Sequence, residues 1–155
     1  MSGSNFSLEE AKLKIERYCA YQDRCVFEVT QKLHEFGLTP ESIESIVAQL
    51  NLDWFLDDKR FAISYASGKM RIKHWGRIKI KQGLKLKRIS SEYIQEALSQ
   101  LDEHEYLSII QKLIAKKQQE LSKEKDPWMK KAKLVRFLQS KGFESDLILD
   151  LLKAY

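Results

Sequence analysis

Three stretches of this chain align with one another without a gap. Glu28 to Leu50 reads EVTQKLHEFGLTPESIESIVAQL, Lys79 to Leu101 reads KIKQGLKLKRISSEYIQEALSQL, and Lys133 to Tyr155 reads KLVRFLQSKGFESDLILDLLKAY. The starts at 28, 79 and 133 put the copies 51 and 54 residues apart. Six columns are apolar in every copy: Val29/Ile80/Leu134, Leu33/Leu84/Leu138, Leu38/Ile89/Phe143, Ile43/Ile94/Ile148, Ile46/Ala97/Leu151 and Val47/Leu98/Leu152. A repeat of this period restricts the fold to one supersecondary unit placed in series, each copy burying the same apolar face against its own helices and its neighbours.

Within a copy the apolar residues fall three and four apart, break, and resume in a new phase, which predicts two short amphipathic helices and a tight turn. In the first copy Gly37 suits the left-handed conformation that ends a helix, Thr39 can cap the next, and Pro40 fits its first position. Gly142 repeats the stop in the third copy. In the second, Arg88 stands in the glycine's place before the cap Ser90, which predicts the weakest of the three turns. A further helix precedes each pair. Ser7-Leu8-Glu9-Glu10 is a capping-box pattern leading into Leu8, Ala11, Ile15 and Tyr18; Asp57-Asp58 places negative charge at a helix start before Phe61 and Tyr65; Tyr106, Ile109, Ile110 and Leu113 follow helical spacing; and Asp126-Pro127 restarts a helix after a Lys- and Gln-rich run. The expected architecture is all-α: three tandem three-helix repeats over residues 5–52, 53–102 and 103–155, forming an elongated, curved chain of units that share apolar surface. One segment reads otherwise. Arg71 to Lys81 alternates basic and apolar residues as a strand would, and only from Lys79 onward does the repeat override that pattern; upstream of Trp75 a short irregular or extended segment is expected.

Charge is unevenly placed along this frame. The formal net charge is +5, yet Lys59 to Ser91 contains no acidic residue and eleven of the 27 basic ones, leaving 16 basic against all 22 acidic residues elsewhere. Such asymmetry points to a polyanionic partner. On a helix starting near Trp75, residues Arg77, Lys81, Lys85 and Arg88 form a positive stripe beside Ile80 and Leu84. The partner-binding surface is therefore expected at Lys69, Arg71, Lys73, Trp75, Arg77, Lys79, Lys81, Lys85, Lys87 and Arg88. Trp75 fits two roles, stacking on a base or anchoring a helix start by packing.

Other chemistry has little support. Cys19, Cys25 and His34 lack the spacing of a zinc site and no second pair follows, so no metal is expected. Both cysteines read as free thiols, Cys19 in the core and Cys25 at a helix start where Asp23 is the alternative cap. His34, His74 and His104 fall at non-equivalent repeat positions with no nucleophile elbow near them, and neither a Walker loop nor a dinucleotide fingerprint occurs, so no catalytic residue or cofactor is assigned. A metal-dependent nuclease would need converging carboxylates, and the adjacent Asp57 and Asp58 read as helix-start acids. Hydrophobic content of 43% is ordinary, no apolar run is long enough to cross a bilayer, and the polar start from Met1 to Ser7 has no signal-peptide pattern. A cytoplasmic monomer is the expectation.

Three sets of residues stand together along the chain: Arg24-Cys25-Val26-Phe27-Glu28 with Lys32-Leu33 and Gly37; Leu56-Asp57-Asp58-Lys59-Arg60-Phe61-Ala62 with Trp75-Gly76-Arg77-Ile78 and Leu84; and Arg136-Phe137-Leu138 with Lys141-Gly142-Phe143. In their order and spacing they resemble the RecX family of bacterial regulatory proteins over essentially the whole chain. The resemblance implies a non-enzymatic, cytoplasmic modulator that binds the RecA protein or the RecA-DNA filament, with direct DNA contact also known among relatives. It would limit recombinase, ATPase and coprotease activity in recombination, DNA repair and the SOS response. Two positions depart from the family pattern: Cys25 where many relatives have serine, and Arg88 where the second turn often has glycine. The reading that competes with a filament modulator is a stand-alone helical DNA-binding module acting through the central basic surface.

Overall fold

The computed structural model describes residues 6–154. Asn5, the expected start of the first repeat, and Tyr155, the expected end of the third, lie outside the described residues, as does the rest of the polar stretch Met1–Asn5. Among the described residues the chain is helical throughout and contains no strand. Nine helices follow in order: α1 Leu8–Tyr21, α2 Val26–Glu35, α3 Pro40–Leu52, α4 Asp58–Lys73, α5 Arg77–Leu86, α6 Ser91–Ser99, α7 Glu103–Glu120, α8 Pro127–Ser140 and α9 Ser145–Leu152. They pack in successive threes, α1 to α3, α4 to α6 and α7 to α9, with most helix contacts made inside a set.

Local chemistry explains where the helices begin. The hydroxyls of Ser7, Thr39 and Ser90 accept the backbone N–H groups of Glu10, Ser42 and Tyr93, and the carboxylates of Asp57, Asp102 and Asp126 accept those of Arg60, Glu105 and Trp128. Each cap satisfies a donor that the helix leaves free, an effect worth about 1 kcal/mol. Cys25, not Asp23, occupies the N-cap of α2, where its backbone N–H donates to Glu28 at 3.4 Å. Asp23 instead pairs with Arg60 at 2.8 Å.

The alternating segment is helical for most of its length. Helix α4 continues through Lys73, and the extended stretch expected upstream of Trp75 shrinks to a break at residues 74–76. Phe61, Ala62, Ala66 and Met70 are all buried along one face of α4, and that helical period outweighs a short alternation of basic and apolar side chains. His74 ends α4 in the left-handed conformation with φ 57°, and the following Trp75 N–H donates to the Lys69 carbonyl at 3.1 Å.

The three turns between second and third helices share one backbone solution. Gly37, Arg88 and Gly142, equivalent in the repeat, have φ of 82°, 58° and 93°. Arg88 thus holds a conformation that an L-residue with a Cβ enters only at a cost of about 1 kcal/mol.

Three of the six apolar columns, Val29/Ile80/Leu134, Leu33/Leu84/Leu138 and Ile43/Ile94/Ile148, are buried in every copy, and two others exchange roles: Ile46 and Ala97 are buried in the first two copies while Val47 and Leu98 are half-buried, whereas in the third Leu152 is buried and Leu151 half-buried. Leu38 is the exception in its column, half-buried where Ile89 and Phe143 are fully buried. The core is not divided into three. Ala11, Ile15, Cys19, Val29, Leu33 and their neighbours form one cluster within the first set. A second, continuous cluster runs through both other sets from Phe61 and Ile80 to Leu138 and Ile148, and Cys25 inserts into it from the start of α2.

Candidate functional site

The residues that join one set to the next follow a common plan. At the first junction the Val26 N–H, an unpaired donor at the start of α2, is accepted by Asp58 of α4 at 2.8 Å. At the second junction the equivalent donor, the Arg77 N–H at the start of α5, is accepted by the Tyr106 hydroxyl of α7 at 2.9 Å. A carboxylate and a phenol meet the same backbone demand. Burial raises the Asp58 pKa, partly offset by the bond from Val26, and burial also raises that of Tyr106, whose hydroxyl donates to Glu144.

The turn of each following set docks beside these donors. Cys25 Sγ lies 3.9 Å from the Lys87 carbonyl, while the equivalent Gly76 donates its N–H to the Lys141 carbonyl at 2.8 Å and Ile78 donates to the Gly142 carbonyl at 3.0 Å. Backbone meets backbone only because position 76 is glycine: a Cβ there would overlap the Gly142 carbonyl. Buried thiols lose their acidity in such surroundings. Burial pushes both Cys19 and Cys25 up to about 11, so both are protonated at neutral pH.

These contacts redistribute the basic residues predicted to meet a partner. Arg71 pairs with Glu105 at 2.6 Å, Arg77 pairs with Glu144 at 2.9 Å and with Glu103, and Lys87 pairs with Glu28 at 2.9 Å. The Arg77 guanidinium also covers the Tyr106 ring, 4.0 Å from its centroid. Lys59 and Arg60, from the same acid-free stretch, pair with Glu96 and Asp23. Six cations of that stretch, Lys69, Lys73, Lys79, Lys81, Lys85 and Arg88, have no carboxylate partner among the described residues.

The stripe expected along α5 is therefore divided. Arg77 turns into the second junction, Lys81 and Lys85 stay exposed one turn apart, and Arg88 lies near the first junction with its guanidinium 5.1 Å from the Phe27 ring. Trp75 packs half-buried on the shared core, which is the anchoring role. Its ring also carries the ammonium groups of Lys69 and Lys79, each 4.9 Å from the centroid. One basic residue outside the predicted set joins this group: Lys141 at the end of α8, whose ammonium donates to the Lys73 carbonyl at 2.9 Å. Its signal in the sequence is its column, which also holds Lys87.

No group of three or more His, Cys, Asp or Glu side chains is placed to hold a metal ion among the described residues, and no described helix is long and apolar enough to cross a membrane.

The fold and its junctions define a protein of tandem three-helix domains. Residues 57–98 match the second three-helix domain of RecX, and residues 104–152 match the third. A Lactobacillus johnsonii protein named regulatory protein RecX is 30% identical over 130 residues, 84% of this chain and 48% of its own length. The Chlorobaculum tepidum protein of the same name is 33% identical over 126 residues, 81% of this chain and 76% of its own. The crystal structure of RecX from Lactobacillus salivarius shares the fold, with a TM-score of 0.82 at 24% identity over 96% of this chain and 97% of that one. The chain belongs to the RecX family. It spans about half the length of several curated relatives it matches.

Proposed function

We propose that this chain is a non-enzymatic regulator that binds the RecA protein or the RecA-DNA filament in the cytoplasm and mainly inhibits its recombinase, ATPase and coprotease activities. It would do so as a monomer, in recombination, DNA repair and the SOS response. The observation that carries the reading is the set of six cations without carboxylate partners, concentrated on the second domain of a RecX-family chain. A filament on DNA presents closely spaced phosphates, and unpaired lysines and arginines meet them by releasing counterions. Action by occupancy suits the architecture, because consecutive domains can lie across neighbouring subunits and oppose the movement that ATP turnover needs. RecA ATPase on single-stranded DNA, measured with increasing amounts of this chain, should fall to a plateau. An unchanged rate at saturating concentration would end the reading.

Lys81 and Lys85, exposed on the same face of α5, also favour a second reading as a stand-alone DNA-binding module. Tight binding to duplex or single-stranded DNA without RecA, lost steeply as salt rises, would support it over the first.

A further inference from the structure

The two junctions use the same columns with different charges. At the first, Glu28 and Lys87 form an ion pair at 2.9 Å. One repeat later the same columns hold Lys79 and Lys141. The backbones there are in close contact, since a Cβ on Gly142 would overlap the Lys79 Cβ. The Lys141 ammonium is drawn to the end of α4, where it donates to the Lys73 carbonyl. The Lys79 and Lys69 ammonium groups both lean on the Trp75 ring. Carboxylates at this junction are already engaged: Glu103 and Glu144 by Arg77, Glu144 also by the Tyr106 hydroxyl, and Glu105 by Arg71. A packed junction whose template calls for an ion pair thus presents cations alone. Burial and the fields of Lys79 and Lys73 hold the Lys141 pKa below its ordinary value, in keeping with crowded positive charge.

We propose that the junction of the second and third domains is a phosphate-binding site formed by Lys73, Lys79 and Lys141 beside Trp75. The missing negative partner is supplied from outside, either by the phosphodiester backbone of a nucleic-acid strand or by a free polyphosphate. Binding would tie the end of α4, the start of α5 and the turn after α8 together, so the ligand would stiffen the connection between two domains. The proposal deepens the functional reading above and rests on it only for the choice of a nucleic-acid strand as the natural ligand.

Titration of the purified chain with inorganic pyrophosphate, and separately with a short oligothymidylate, tests it by calorimetry and thermal unfolding at low salt. The wild-type chain should bind and its Tm should rise by about 3 °C at a tenfold excess over Kd. Lys79→Glu rebuilds the ion pair of the first junction; it should raise the Tm without ligand and abolish the response to ligand. Lys141→Met should weaken binding by about tenfold or more, while Lys12→Glu, on the exposed face of α1, should bind as the wild type does. A response to the oligonucleotide alone identifies a strand as the ligand, and a response to pyrophosphate alone identifies a free polyphosphate; both support the site. No binding by the wild type, or undiminished binding by both Lys79→Glu and Lys141→Met, would overturn it. RecA takes no part in these measurements. Pyrophosphate binding without any effect on RecA ATPase would therefore remove the functional reading and leave the site.

Discussion

The Tyr106 hydroxyl accepts the backbone N–H of Arg77 at 2.9 Å while it donates to Glu144, so one buried phenol links the start of α5 to the start of α9. Tyr106 is fully buried, and loss of its hydroxyl leaves the part-buried Arg77 N–H without its partner, while Glu144 keeps only the Arg77 guanidinium. Tyr106→Phe should destabilise the chain by about 1–3 kcal/mol, the usual penalty for orphaned buried groups. Urea unfolding monitored by circular dichroism reads this directly, and an unchanged midpoint would contradict the role assigned to the hydroxyl.

At position 88 the expected change has the opposite sign. Arg88 holds φ 58° where the other two repeats place glycine, and its compensation is a stack 5.1 Å from the Phe27 ring. Arg88→Gly removes a left-handed strain of about 1 kcal/mol against an exposed cation–π contact worth about 0.5 kcal/mol. A net gain of about 0.5 kcal/mol in unfolding free energy is predicted. Loss of stability would mean that the Phe27 contact outweighs the backbone.

Lys87 and Lys141 occupy one column of the repeat and should titrate on opposite sides of 10.5, the ordinary lysine value. Burial opposes the Lys87 ammonium, but the hydrogen bond and charge of Glu28 prevail and raise its pKa. Its stabilisation is complete below 10.5 and fades as pH climbs through the raised value. For Lys141, burial and then Lys79 and Lys73 lower the pKa, so its ammonium opposes folding; that penalty lifts as pH rises from the lowered value towards 10.5. Side-chain carbon shifts followed by NMR through alkaline titration would order the two residues.

Reversal of charge on the exposed face of α5 should affect binding and not folding. Lys81→Glu with Lys85→Glu changes two solvated side chains without ion-pair partners, and surface changes of this kind stay within about 0.5 kcal/mol each. On the functional reading the doubly substituted chain should need much higher concentrations to suppress RecA ATPase. If it suppresses as the wild type does, this face is not the contact.

The helical frame is readable from the chain because Val29/Ile80/Leu134, Leu33/Leu84/Leu138 and Ile43/Ile94/Ile148 keep the same spacing within each copy and are buried in all three. Period carries fold. The electrostatic surface is less readable, since pairing depends on distance in space and not in sequence. The run from Lys59 to Ser91 contains no acid, yet Glu28, Glu103, Glu105 and Glu144 reach it from other helices and take up Lys87, Arg77 and Arg71. Lys141 joins the basic group from 54 residues beyond Lys87, and only comparison of junctions, Glu28 with Lys79 and Lys87 with Lys141, draws attention to it. The strand-like alternation after Arg71 misleads for a related reason: Met70 and Ala66, the residues that hold α4 in place, lie just upstream of the window that alternates.

The continuous core through α4 to α9, set against the separate one in α1 to α3, makes the copies unequal tenants of the same plan. Heating or proteolysis should part the molecule near residues 53–57, releasing the first domain as one cooperative block while the other two melt together. A copy could then be gained or lost at the front of such a chain with modest disturbance, but excising the middle one would open the common interior. Cys25, set in that interior from the start of α2, is the peg by which the detachable block is fastened.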